Sequence, residues 1–201
     1  GRYEEAEPLI TEVLELDRTL SGDQHPNTAT SLNNLALLYR SQGRYEEAEP
    51  LYIQALDIRR TILGDRSPIT AQSMSSLALL YLNFQSRYEE AESLMGKALA
   101  VCKEELGDSH PDTAASINVL AYLYRLQVRY EKAEPLIVEA LDIRQTVLGN
   151  RHPDTANSLF NLAMLCHQTQ RSKQALSYIQ QALAIYIPIL GKDHPTTQET
   201  D

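Results

Sequence analysis

One block of sequence is written almost five times along this chain. Arg-Tyr-Glu-Glu-Ala-Glu stands at residues 2–7, 44–49 and 87–92 and returns as Arg-Tyr-Glu-Lys-Ala-Glu at 129–134, and a decayed fifth copy runs from Arg171 to Leu176. A glycine recurs at Gly22, Gly64, Gly107, Gly149 and Gly191, with Pro26, Pro68, Pro111, Pro153 or Pro195 four residues beyond each. The spacings are 42, 43, 42 and 42 residues, and the single extra residue falls between Tyr81 and Tyr88, at a turn that can absorb it. A period of this length marks a unit that cannot bury its apolar face alone and must stack on its neighbours.

Each period holds two helical patterns. Leu32, Leu35, Ala36 and Tyr39 have i, i+3, i+4, i+7 spacing, repeated as Met74, Leu77, Ala78, Tyr81 and as Ile117, Leu120, Ala121, Tyr124. This first helix, A, begins at a proline, whose fixed φ suits the N1 position. The second, B, carries Tyr45, Ala48, Tyr52, Ala55, Leu56 and Ile58 and ends at Leu63-Gly64, with the glycine expected in the left-handed C′ conformation. Pro8, Pro50 and Pro135 lie several residues inside helix B, so bending is expected there. No strand-like alternation interrupts the series.

Composition narrows the function classes. The chain of 201 residues has 18 Lys plus Arg against 27 Asp plus Glu, a formal charge of -9, which argues against unselective binding to nucleic acid or to anionic membrane. It has no run of 18 apolar residues and no basic-then-apolar leader. Cys102 and Cys166 form no CxxC, so neither a disulfide framework nor a zinc site is encoded, and a reducing cytoplasm is the expected setting.

Leu-Ala-x-x-Tyr, Gly-x-Tyr-x-x-Ala and x-x-x-Tyr-x-x-Ala resemble the tetratricopeptide repeat, and the Leu-Gly-x-x-His-Pro-x-Thr-Ala connection with the longer period is similar to the kinesin-light-chain type. The resemblance covers the whole chain. It implies an all-α fold, a right-handed solenoid of stacked antiparallel helix pairs in which helices A line a concave groove and helices B face outward. It also implies protein or peptide binding.

Several residues invite sharper chemistry. His25, His110, His152 and His194 share one phase, but metal ligands must converge to about 2 Å from an ion, and equivalent positions lie a whole hairpin apart. Ser67 takes the same phase, so helix caps are expected and no metal. Ala36, Ala78, Ala121 and Ala163 are expected where the helices of each hairpin cross, opposite Ala48, Ala91, Ala133 and Ala175. Ser31, Ser73, Ser116 and Ser158 suit tight packing or a bond to the carbonyl four residues back. Cys166 occupies the tyrosine phase and reads as a core thiol, whereas Cys102 takes the phase of Arg59 and Arg144 and is expected exposed. The Glu pairs opening helix B read as a solvated ridge favoured by the helix dipole. No acid pair, nucleophile–base constellation or phosphate loop marks an enzyme, and no cofactor is implied.

The candidate site is the remaining face of helix A. Its positions are Thr30, Asn33, Leu37 and Arg40; Gln72, Ser75, Leu79 and Leu82; Ala115, Asn118, Tyr122 and Arg125; and Asn157, Phe160, Met164 and His167. They include no Asp or Glu in an acidic chain. Arginines there can take a carboxylate, asparagines a peptide backbone, and Tyr122, Phe160 and Met164 an apolar side chain. Two readings stand: a groove for an extended acidic and aromatic segment, or a groove of mixed character with no occupant. The chain is expected to comprise a half repeat at 1–22, repeats at about 23–64, 65–107, 108–149 and 150–191, and the start of another at 192–201. The alternative to a peptide-binding scaffold is a structural spacer or self-assembling solenoid acting through its ends, where Ile10, Val13, Leu14, Ile185, Ile187 and Ile189 are expected to lack cover.

Overall fold

A computed structural model describes residues 3–191. Helix forms where the repeat predicts it: α1 Tyr3–Ser21, α2 Pro26–Ser41, α3 Tyr45–Leu63, α4 Pro68–Tyr81, α5 Tyr88–Leu106, α6 Pro111–Leu126, α7 Tyr130–Val147, α8 Pro153–Gln168 and α9 Ser172–Leu190. Even-numbered helices are A, odd-numbered are B, and there is no strand among the described residues. The chain forms two compact units, Gly1–Val101 and Cys102–Asp201, with the division falling inside α5. In the first unit α2 packs between α1 and α3, and α4 packs on α3 and on α2; in the second α6 packs on α7, α7 on α8, α8 on α9, and α6 on α8.

The repeated motifs act at helix ends. His25, His110 and His152 cap α2, α6 and α8, each Nδ1 accepting the backbone N–H two residues on, at 3.2, 3.1 and 3.1 Å. Ser67 occupies the N-cap of α4 without a side-chain capping bond, and His194 lies outside the described residues. Thr28, Thr113 and Thr155 are fully buried and donate to the carbonyls of Gly22, Gly107 and Gly149 at 2.7, 2.8 and 2.8 Å. These bonds tie the end of each helix B to the next helix A. Gly64 has φ 83° and ψ 167°, a backbone region open essentially to glycine alone and different from the left-handed helical cap that the sequence predicts. Helices α1, α3 and α7 continue through Pro8, Pro50 and Pro135, starting upstream of them.

Between A and B the chain turns at Gly43, Val128 and Gln170, with φ 76°, 61° and 61°. The second repeat, one residue longer, instead forms a 3-10 turn at Gln85–Arg87 after a shortened α4. Of the three, Gly43 alone takes positive φ without strain; a β-branched residue there is crowded against its own carbonyl, and Val128 gains nothing in return because it is exposed.

The core sits at the crossings. Ala36, Ala48, Ala78, Ala91, Ala121, Ala133 and Ala163 are wholly buried and Ala175 nearly so, so that leucine and isoleucine from both helices close around them. Ala121, Ala133, Ile137, Leu162 and Leu165 form one such cluster, and Leu14, Leu32, Leu35, Leu38 and Ile58 belong to another. Ile10 packs against that second cluster and Leu14 is part of it, so neither lacks cover. The exposed apolar stripe on α1 is Leu9, Val13, Leu16 and Leu20.

The Arg-Tyr-Glu-Glu-Ala-Glu block joins successive repeats. Arg44 forks onto Glu47 of its own repeat, both bonds 2.7 Å, reaches Glu7 of the preceding repeat at 2.7 Å, and lies 3.9 Å above the Tyr39 ring. Arg87 does the same with Glu90, with Glu49 at 2.7 Å, and with Tyr81 at 3.5 Å. In the second unit Arg171 takes Glu134 bidentately at 2.7 and 3.0 Å, with Cys166 at the tyrosine phase. The glutamates are therefore not a simple solvated ridge. Planar guanidinium is suited to this double role, stacking on a ring while bonding in plane.

Replacing Val128 by glycine is expected to stabilise the protein by about 1 kcal/mol, the strain relieved being partly offset by added backbone entropy. A urea midpoint that stays or falls contradicts this. The arginine bonds hold the Glu7, Glu47 and Glu90 carboxyls below their ordinary range. Their folded pKa values are thus below the unfolded ones, near about 4.3, so the stability they contribute is complete above that value and is lost as pH falls through the folded pKa. The difference in urea midpoint between the wild type and Glu47→Gln should shrink between pH 7 and pH 3.

Candidate functional site

Helix B supplies an unexpected floor to the helix A face. Fourteen residues before each repeated serine stands a helix B residue that bonds to it. Ser31 donates to Asp17 Oδ2, Arg59 Nη1 donates to Ser73 Oγ at 2.8 Å, Cys102 Sγ lies 3.5 Å from Ser116 Oγ, and Arg144 Nη1 donates to Ser158 Oγ at 2.8 Å. These serines therefore bond across helices, not to the carbonyl four residues back. Cys102 is buried, at 2% exposure, contrary to the sequence expectation, because this phase faces the following helix A and not solvent. Arg59 and Arg144 are buried with it at 8% and 6%. The constant step of fourteen to a serine was the available signal.

Neither buried arginine makes an ion pair among the described residues. Arg59 completes its bonds with Thr30 Oγ1 at 3.2 Å and the Ile69 carbonyl at 3.5 Å, and Arg144 with the Asp154 carbonyl at 2.9 Å and Asn157 Oδ1 at 3.4 Å. Burial lowers the pKa of both, without approaching neutrality at ordinary pH. Their heads thus reach Thr30 and Asn157, two positions of the candidate face, and leave positive charge beneath it.

In the first unit the face carries Asn33, Leu37 and Arg40 on α2 and Ser75 on α4. Leu37 is 43% exposed, Arg40 and Ser75 are half-buried, and Arg40 makes no ion pair among the described residues. Asn33 Oδ1 is buried without a hydrogen-bond partner among them. Leu82 does not belong to the face: it is buried at the C-cap of α4, where the longer turn begins.

The second unit carries Asn118, Tyr122 and Arg125 on α6 and Asn157, Phe160, Met164 and His167 on α8. Asn118 Nδ2 donates to Asn157 Oδ1 at 2.9 Å, so the structure brings these two together across adjacent A helices. Asn118 is itself buried, and its Oδ1 has no partner among the described residues. Arg125 lies 5.0 Å from the Tyr122 ring centre and donates to Gln168 Oε1 at 3.2 Å, while its Nε is buried and unbonded. No carboxylate of the described residues pairs with it, and desolvation lowers its pKa. Phe160 packs on the cluster of Ala156, Leu159, Ala182, Ile185 and Tyr186 and keeps part of its ring accessible; Met164 is half-buried and His167 exposed.

Such a face can bond a carboxylate at Arg40 or Arg125 and receive an apolar side chain against Tyr122 or Phe160, whereas the Asn33 and Asn118 Oδ1 atoms lie beneath the surface, out of a ligand's reach. No group of three His, Cys, Asp or Glu able to hold a metal occurs among the described residues, and none of their helices is long and apolar enough to cross a membrane.

Comparison with known proteins agrees with this architecture. BtubC (BKLC) from P. vanneervenii is 24% identical, with a TM-score of 0.78 over 100% of this chain and 80% of that one. A single-residue variant of a Podosopora anserina kinesin light chain with nearly identical TPR-like repeats is 26% identical, with a TM-score of 0.70 over 94% and 88% of the two chains. The apo form of RapI, 20% identical with a TM-score of 0.68, matches over 87% of this chain and 61% of its own. No protein with a curated description matches the sequence significantly. The tetratricopeptide-repeat model matches residues 1–61, 32–84, 82–145 and 118–187, and with the helix pairs above it shows that the chain belongs to the tetratricopeptide-repeat family.

Proposed function

We propose that the chain is a non-enzymatic protein-interaction scaffold that binds extended peptide segments, rich in acidic and aromatic residues, along its helix A faces in a reducing cytoplasm. The carrying observation is Arg125: a desolvated guanidinium on the Tyr122 ring with no carboxylate partner among the described residues, beside the unpaired Asn118 carbonyl, in a protein of net charge -9. An acidic residue of the ligand would complete the arginine, and a neighbouring aromatic residue would rest its ring on Phe160. Both cysteines are free and buried, which suits a reducing setting.

A second reading is supported by the stripe Leu9, Val13, Leu16 and Leu20, whose exposures run from 51% to 75%. The corresponding residues of α3 include Ala55 and Ile58, which are buried. The stripe would join a second copy, making the solenoid a spacer or self-assembling element.

Binding of labelled acidic-aromatic peptides, followed by fluorescence anisotropy, tests the first reading. Arg125→Glu should weaken binding at least about tenfold, beyond the roughly 0–1 kcal/mol of an exposed ion pair, because charge reversal adds repulsion. Arg60→Glu, already paired with Asp65 on helix B, should change it little. Added salt should weaken the wild type more than the variant. Binding indifferent to Arg40, Arg125 and Phe160 overturns the groove. For the second reading, sedimentation should show concentration-dependent oligomers that Val13→Glu with Leu16→Glu abolishes; a monomer at every concentration excludes it.

A further inference from the structure

A pocket of about 750 Å³ opens in the second unit, and its lining includes none of the candidate helix A residues just described. Leu159 of α8 and Ile185 of α9 line it, with Ala184, Pro188 and Ile189 along the C-terminal half of α9. Gln145 from the last turn of α7, Asn150 and Arg151 from the α7–α8 connection, and Gln181 contribute its polar lining. Among the described residues no carboxylate lines it, although the chain holds 27 Asp plus Glu.

The internal repeat shows that this lining is a local departure. Four residues before and one residue after each of the first three repeated glycines stand a cation and an aspartate that pair: Arg18 with Asp23 at 3.5 Å, Arg60 with Asp65 at 2.6 Å, and Lys103 with Asp108 at 3.8 Å. Around Gly149 the same two positions are Gln145 and Asn150, and around Gly191 they are Ile187 and Lys192. A charged pair there holds water and its own partner; two neutral amides leave donors and acceptors for something else, beside apolar walls. The neighbouring Arg151 is exposed and forms no ion pair among the described residues, so the pocket joins an apolar floor, the amides of Gln145 and Asn150 and a cation, while Gln181 Nε2 donates to the Ser177 carbonyl at 3.2 Å and keeps its Oε1 as an acceptor.

The geometry points to a second docking site, for a segment of a partner protein that inserts a large aliphatic or aromatic side chain between Leu159, Ile185 and Ile189 and sets a following carboxylate on Arg151. Gln145, Asn150 and Gln181 match the backbone N–H and C=O groups that flank an inserted side chain, which favours a peptide over a free amphiphile. The lining of amides and a cation without acids supplies the charge complementarity. Arg125 is not among the lining residues, so the site would give the scaffold a second surface beside the helix A face.

The test uses the full chain, labelled with ¹⁵N, and three short capped peptides with the cores Leu-Phe-Asp, Ser-Ser-Asp and Leu-Phe-Lys. The first should shift the side-chain amides of Gln145, Asn150 and Gln181, and the other two should bind at least fivefold more weakly. Arg151→Glu and Ile189→Lys, both at exposed positions, should each cost at least fivefold. Gln145→Arg with Asn150→Asp, which restores the pair found around Gly22, Gly64 and Gly107, should abolish binding with the melting temperature kept. Arg125→Glu should leave it unchanged, so failure here is distinct from failure of the helix A groove. Shifts confined to other residues, equal binding of the three peptides, indifference to Arg151 and Ile189, or displacement of the peptide by decanoate at equal affinity would each overturn the assignment.

Discussion

Everything in this molecule depends on the close approach of two helices at alanine. A hairpin of helices A and B has apolar residues on more sides than its own partner can cover, so each hairpin must be covered by the next. That is achieved only if the crossing is narrow enough for leucine and isoleucine on both flanks to meet, and the alanines at the crossing, such as Ala121 against Ala133, keep it so. A larger side chain would force the flanks apart and open voids around Leu162 and Leu165.

Two polar systems run along the same repeat and separate its tasks. At one end of the hairpin, arginine stacked on tyrosine bridges glutamates of its own and the preceding repeat, as Arg44 does on Tyr39. These contacts are partly exposed and sensitive to acid. Near the other end of helix B, Arg59 and Arg144 are buried and bonded to serine hydroxyls and carbonyl oxygens in place of carboxylates. A buried cation without an anion is costly, and two are retained beneath Thr30 and Asn157 on a face whose candidate positions include no acid. The preference for acidic ligands proposed above rests on that contrast between the two ends. Where the repeat loses its charge pair, at Gln145 and Asn150, the second pocket appears.

Local rules written in the chain were enough for the helices, their order and most of their ends. The 42-residue period, the His-Pro caps, the turn glycines and the i, i+3, i+4, i+7 spacing all depend on neighbours close in sequence, and the alanine crossings followed from them. The same wheel selects the candidate residues on helix A, and of these Leu82, where the turn is lengthened, and Asn118 lie buried. What tertiary structure alone decided were contacts between repeats. Cys102 reads as exposed from its own helix, because its cover comes from Ser116 on the next helix A and arginine at the same phase looks like a solvent-facing residue. Likewise the wheel marks Asn118 as a free peptide contact, yet half of its amide is engaged by Asn157, thirty-nine residues away, and the other half is left unpaired among the described residues. Hydrogen bonds and desolvation at such distances depend on how one hairpin is seated on the next, and a periodic sequence states that they stack without stating which polar atoms meet.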